Sequence, residues 1–168
     1  GSYVTDKQKL RFAKHFESIL EEDRHSQMQV LEVREILELA MFEKAALNAD
    51  SDDIDAMEKI YEQMEKNLGE KTGYGNLDLK LHMQIAKATH NDIFPILVHT
   101  LYESSGQRIV LMEDIFPESM RSIHRDHLGI IEAIKRRDVK GVRKVGKRHF
   151  DVDRYMLLSM NGLEENSK

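Results

Sequence analysis

The chain has 168 residues, of which 40% are hydrophobic and 33% charged, and this balance predicts one globular domain with a sizeable core. Cysteine is absent, which excludes disulfides, thiolate metal ligands and a cysteine nucleophile, and which fits a reducing, cytoplasmic location. The net charge of −5 argues against a DNA-binding surface. The lack of an apolar run of about 18 residues argues against a membrane-spanning helix.

Apolar residues recur at helical spacing along almost the whole chain, without the alternation typical of a strand. This periodicity predicts an all-α fold, an antiparallel bundle of about six or seven helices. The predicted helices, in chain order, span residues 6–22, 26–47, 51–68, 75–89, 92–113, 117–137 and 139–160. We interpret residues 6–160 as the helical domain, 161–168 as a frayed tail, and 1–5 as a remnant of a preceding domain or a cloning scar.

Local signals mark several helix ends. Ser51 opens the third predicted helix, and residues 69–75 are predicted to form a loop. Pro117 stands where a first-turn proline belongs, and Asp138 is suited to cap the last helix. These signals leave only short connections, so successive helices are expected to run antiparallel.

The informative positions are polar residues inside otherwise apolar helical stripes. His149 lies within such a stripe of the last predicted helix, and His127 lies within a stripe of the helix before it. Asp78 and His82 are four residues apart and therefore share one helix face. Buried imidazoles and carboxylates are costly without partners, so four of them in one core indicate a shared partner.

The spacing of the two stripe histidines supports a common site. His127 lies 11 residues before Asp138 and His149 lies 11 after it, so a hairpin turning at Asp138 places both roughly 16 Å from the turn. With Asp78 and His82 they supply three nitrogens and one oxygen, a set that suits zinc and also nickel, cobalt, manganese or iron. Taken singly, a histidine on an apolar stripe is more often a hydrogen-bonded core residue, and that alternative stays open.

At these residues the sequence resembles the FadR C-terminal domain, called FCD, which is the ligand-binding domain of GntR-family transcription regulators. The resemblance covers nearly the whole chain, although Leu81 stands where the family usually has Phe. The segments that carry it are 31–38 (LEVREILE), 77–82 (LDLKLH), 90–91 (HN), 126–134 (DHLGIIEAI), 137–138 (RD) and 147–150 (KRHF).

The resemblance implies a helical bundle in which an Asp and three His hold a divalent metal, with zinc favoured and nickel an alternative. Asp78, His82, His127 and His149 match those four positions. The metal would help to bind a small carboxylate effector, such as an organic acid. Effector binding would alter DNA binding by an N-terminal winged helix, absent from this chain, in a homodimeric regulator. Residues 1–4 (GSYV) are similar to the end of that winged helix.

Three further residues are candidates for the effector site or its surroundings. Arg34 interrupts an apolar stripe, so it is predicted either to clamp the effector carboxylate or to form a helix-surface pair with Glu38. Asn91 is predicted either to line the site or to cap the following helix. His124, three residues before His127, is a candidate either to replace it as a ligand or to support the ligands from behind.

Two other classes of protein compete with a sensor at this point. A metal with open positions activates water in many enzymes, so a metal-dependent hydrolase on a helical bundle is one alternative. A helical scaffold with incidental core histidines is the other. The sequence has no general base beyond the proposed ligands and no nucleophile motif, so we expect a sensing domain and not an enzyme.

Overall fold

A computed structural model describes residues 24–68, 74–103 and 115–165 of the chain. These residues form helices and no strand, which confirms the predicted all-α bundle; the helix predicted at 6–22 lies outside them. The six helices are α1 (Arg24–Asn48), α2 (Ser51–Lys66), α3 (Tyr74–Lys87), α4 (Ile93–Glu103), α5 (Pro117–Lys135) and α6 (Val139–Glu165). None of the described helices is long and apolar enough to cross a membrane.

Most predicted boundaries that fall on described residues agree with the structure within two or three residues, and two differ in an informative way; the predicted helix end at 113 lies outside the described residues. Helix α3 begins at Tyr74, so Tyr74 and Gly75 belong to the helix and not to the predicted loop at 69–75. The side chain of Tyr74 is fully buried, and that packing supports a helical turn which the flanking glycines disfavour. Helix α6 continues to Glu165, past the predicted end at 160, so residues 161–165 of the predicted frayed tail are helical.

Helix α2 begins at Ser51 as predicted, but its N-cap is the preceding residue. The side chain of Asp50 accepts a hydrogen bond from the backbone N–H of Asp53 at 2.9 Å. The side chain of Asp53 in turn accepts one from the backbone N–H of Asp50 at 3.2 Å. This reciprocal capping box satisfies two backbone donors that the helix itself leaves unpaired.

The hairpin of α5 and α6 is fixed at its turn by the residues that the sequence singled out. Pro117 opens α5 within its first turn, and Asp138 accepts a hydrogen bond from the backbone N–H of Gly141 at 2.9 Å, which caps α6. Arg137 adopts a left-handed φ of 54°. Its guanidinium donates to the carbonyl oxygens of Leu47 and Ala49 at 2.7 and 3.0 Å, which ties the turn to the end of α1.

The core lies where α1 and α5 pack against α6, with α3 between α1, α2 and α4. Helix α1 approaches α6 closely at Gly146. A Cβ atom at this position would lie 2.8 Å from Cδ2 of Phe42 and 2.9 Å from Cδ2 of Leu39. The glycine therefore sets the distance between two helices that both carry site residues.

We expect Gly146→Ala to lower the free energy of unfolding by about 1–3 kcal/mol, because Phe42 and Leu39 must move to admit the methyl group. Urea denaturation measures this change. Gly129→Ala is the control, since the nearest atom to its Cβ would be Cγ1 of Val145, at 3.0 Å, and the cost should be smaller. A Gly146→Ala protein as stable as the parent would show that α1 moves freely against α6.

Candidate metal centre

Three histidines from three helices meet in the core. His82 on α3, His127 on α5 and His149 on α6 are buried, and each offers a ring nitrogen within 4.8 Å of the others. The ring centroids of His127 and His149 are 4.8 Å apart, which confirms that the hairpin places them at the same height. Nε2 of His82 lies 3.3 Å from Nε2 of His127. Nitrogens bound to one tetrahedral zinc ion at 2.0–2.1 Å lie roughly this far apart.

Asp78 lies one helical turn before His82 and faces the same cluster. Its Oδ1 is 3.1 Å from Nε2 of His127 and 4.0 Å from Nε2 of His82. Burial raises the pKa of Asp78, but its hydrogen bond with His127 and the nearby imidazoles lower it more, so the net shift is downward. A carboxylate oxygen and a neutral nitrogen lone pair repel at this distance, so a proton or a cation must lie between them.

Glu38 on α1 orients the ring of His82 from behind. The carboxylate of Glu38 accepts a hydrogen bond from Nδ1 of His82, and both side chains are fully buried. Since that bond occupies the Nδ1 proton, the lone pair of Nε2 faces Asp78 and His127. Metal-binding histidines are commonly held in this way by a carboxylate on the second ring nitrogen.

Tyr74 connects the cluster to a fourth buried histidine. Its hydroxyl lies 3.2 Å from Nδ1 of His124 and 3.5 Å from Nδ1 of His127. His124 also stacks on Tyr61, with ring centroids 4.5 Å apart. Tyr74 thus links His124 to His127, and the role of His124 in supporting the ligands stays a prediction.

His149 has a ring nitrogen without a hydrogen-bond partner. Its Nδ1 is buried, and no group in the part of the chain that the structure describes donates to it or accepts from it. Burial lowers the pKa of His149 well below its usual range, and His127 and His82 lower it further, so the ring is neutral. A neutral imidazole with a buried, unpartnered nitrogen is suited to bind a metal ion.

Arg34 points into the core, as its place in the apolar stripe predicted. Its Nε donates to Oε1 of Glu38 at 2.9 Å, and its Nη1 lies 3.6 Å from Oδ2 of Asp153 on α6. The guanidinium carbon lies 4.0 Å from the ring centroid of Tyr102. The predicted pair with Glu38 thus exists, but the idea that it lies on the surface is wrong, because both side chains are buried.

The buried charges around the histidines do not balance. Among the ion pairs of the described residues, Arg34 contacts Glu38 and Asp153 while Asp78 contacts imidazoles, so these three carboxylates exceed the one guanidinium by two negative charges when the histidines are neutral. The excess of negative charge affects the pKa of His82. Burial lowers its pKa, but Glu38 and Asp78 raise it more, so its net shift is upward. A divalent cation bound among the histidines would cancel the excess.

Asn91 and the remaining histidines stand apart from this cluster. The exposed side chain of Asn91 accepts a hydrogen bond from the backbone N–H of Ile93 at 3.1 Å, so it caps α4 as one prediction had it. His99 is exposed, while His15 and His25 lie outside the side chains that the structure describes. His90 is exposed and lies near Asp50 and Asp53, whose carboxylates already form the capping box.

Sequence reasoning missed four residues that surround the cluster. The sequence analysis assigned no role to Asp153 or Tyr102, it named Glu38 only as the partner of Arg34 in a surface pair, and Tyr74 fell in a predicted loop. For Glu38 a signal existed, because it lies four residues after an Arg that interrupts an apolar stripe. No such signal marked Tyr102, since an aromatic residue at helical spacing is typical of any core.

The chain is similar to known proteins both in sequence and in the arrangement of its helices. A family model described as "FCD domain" matches residues 29–152. The "Uxu operon regulator" of Haemophilus influenzae is 24% identical over 141 residues, covering 82% of this chain and 53% of that protein. The chain thus spans about half the length of this curated relative.

Two solved structures share the fold. E. coli McbR/YncC superimposes with a TM-score of 0.71 at 16% identity, covering 84% of this chain and 68% of that one. Streptococcus agalactiae GntR superimposes with a TM-score of 0.66 at 22% identity, covering 81% of this chain and 62% of that one. At these identities the likeness concerns the arrangement of helices.

Proposed function

The chain belongs to the FCD domain family, and we propose that it is the metal-dependent, carboxylate-sensing domain of a bacterial GntR-type transcription regulator. The single observation that carries this proposal is the meeting of His82, His127 and His149 in one buried cluster beside Asp78. An effector-binding regulatory domain accords with the family match and with the regulator name of the Haemophilus protein.

We propose Asp78, His82, His127 and His149 as the metal ligands. Two features of the chain fit a divalent ion: the buried, unpartnered Nδ1 of His149, and the excess of two negative charges around Arg34. Three imidazoles and one carboxylate favour zinc, with nickel or another transition metal as an alternative. When bound, such an ion supplies positive charge and open coordination positions for a carboxylate.

The residues around the ligands would orient them and receive the effector. Glu38 holds His82 and Tyr74 contacts His127, so both ring planes are set by the fold. Arg34 is a buried cation that contacts Glu38 beside His82, and it is the candidate to bind the effector carboxylate. Its two carboxylate partners hold it in place, so little side-chain entropy is lost when a ligand binds.

The remaining parts of the proposal concern the whole regulator. We propose that DNA is contacted by an N-terminal winged helix outside this chain, because a net charge of −5 leaves little to neutralise phosphates. A homodimer in the cytoplasm, with two copies matched to two half-sites of DNA, completes the proposal. The hydrolase alternative receives no support from the named relatives, which include an operon regulator.

A thermal-shift screen tests the sensing function. We expect the zinc-loaded protein to melt at a higher temperature with a subset of small organic acids, because a ligand that binds only the folded state stabilises it. At a ligand concentration of 100 Kd the gain is about 2.7 kcal/mol. The same acids are added to chelator-treated protein as a control. Equal shifts with and without metal, or no shift with any acid, would contradict metal-dependent sensing.

A further inference from the structure

The hydroxyl group of Tyr102 is a buried donor for which no acceptor exists among the residues that the structure describes. Its ring is held between two groups of the candidate site: the guanidinium carbon of Arg34 lies 4.0 Å from the ring centroid, and the His82 ring lies 5.2 Å away. This packing fixes the ring, so the hydroxyl is pre-positioned. Leaving a buried hydroxyl unpaired is costly, which indicates that a ligand supplies the acceptor.

The carboxylates near Tyr102 are engaged with other groups. Glu38 accepts from Arg34 and His82, Asp78 contacts His127, and Asp153 lies beside Arg34. Burial raises the pKa of Tyr102 well above its usual range, against the opposing effect of Arg34, so the hydroxyl stays protonated. It is therefore a neutral donor, and it is directed to none of these carboxylates.

The charges around Tyr102 favour an uncharged oxygen atom as the acceptor of its hydrogen bond. Arg34 pairs with Glu38 and Asp153, Asp78 lies against His127, and a bound divalent ion would bring this set of charges to neutrality. A ligand with one carboxylate adds one negative charge, whereas a dicarboxylate adds two next to three existing carboxylates. Repulsion in a poorly solvated site is strong, so the second oxygen function should be uncharged.

We propose that Tyr102 is a specificity-determining residue that donates a hydrogen bond to a neutral hydroxyl or carbonyl oxygen of a monocarboxylate ligand. The carboxylate group of that ligand faces Arg34 and the metal ligands. This inference rests on the proposed function and narrows the effector to acids that carry a second, uncharged oxygen. A ligand that lacks this oxygen leaves the Tyr102 hydroxyl unpaired, and such a site discriminates against it.

Calorimetry with two matched probes tests the inference. Glycolate and acetate differ only in the hydroxyl group, and both are titrated into the zinc-loaded chain and into zinc-loaded Tyr102→Phe, with zinc content measured in each. We expect the parent to bind glycolate about tenfold more tightly than acetate, as one buried hydrogen bond allows. Tyr102→Phe keeps the ring against Arg34, so it should weaken glycolate about tenfold and change acetate by less than about twofold.

The control is Tyr155→Phe, because Tyr155 is an exposed tyrosine on α6 and its hydroxyl should not affect either probe. Equal affinities of the parent for glycolate and acetate would overturn the inference, whether or not the variant folds. So would an equal loss for both probes in Tyr102→Phe, or binding of neither probe by the parent. Absence of zinc from the parent would instead reject the proposed metal centre, which separates the two failures.

Discussion

Replacing His127 and His149 together with alanine is expected to abolish metal binding, with a loss of affinity of at least about 100-fold. These residues supply two of the four proposed ligand atoms, and each lies on a different helix of the α5–α6 hairpin. Loss of even a supporting group behind a ligand typically costs 10–100-fold in affinity, so loss of two ligands should cost more. Metal analysis of the purified protein, which should otherwise hold about one ion per chain, measures the effect.

Two further measurements sharpen this test. Chelation of the parent protein should lower its melting temperature, because the buried histidines and Asp78 then face one another with their charges unbalanced. The double variant should show no such response to a chelator. His99→Ala is the matched control, because His99 is exposed on α4 and belongs to neither group of described side chains that could hold a metal ion. Equal metal content in the double variant and in the control would reject the centre.

Helical periodicity was sufficient to predict most of the fold. The stripes of α5 and α6 indicated both helices, and Pro117 and Asp138 marked their starts, because first-turn proline and an N-terminal cap act locally. The start of α3 was predicted wrongly because packing between residues far apart in the sequence overrides the local conformational preference there. Tyr74 is helical between two glycines since its side chain is buried against α5, and no neighbouring residue in the sequence indicates that contact.

The sequence predicted which side chains meet but not what surrounds them. His127 and His149 are equidistant from a turn, so their meeting follows from helix geometry alone. The pairing of Glu38 with His82 depends on the rotation of α1 relative to α3, which leaves no periodic signal in the sequence. The same holds for Asp153 and Arg34, which lie on α6 and α1. The supporting groups of a buried polar site therefore emerge only from the packed structure.

Replacing Arg34 with alanine is expected to lower the free energy of unfolding by about 3–5 kcal/mol, the usual cost of removing one partner from a buried ion pair. The substitution leaves Glu38 and Asp153 in the core without their cation and removes the group that lies on the Tyr102 ring. Urea denaturation of the zinc-loaded protein measures the loss. In the fraction that stays folded, affinity for a carboxylate ligand should fall by about 1.5–3 kcal/mol, as expected for a charge-assisted hydrogen bond.

Arg154→Ala is the matched control for this last prediction. Arg154 lies on α6 next to Asp153 and pairs with Glu35 of α1 at 2.5 Å, but the guanidinium is partly exposed. A solvated pair of this kind contributes about 0–1 kcal/mol, so the two variants differ mainly in the burial of the charges left behind. If Arg34→Ala destabilised the protein no more than Arg154→Ala, the charges around His82 would have to be solvated. The excess of buried negative charge would then no longer be an argument for a divalent cation at this site.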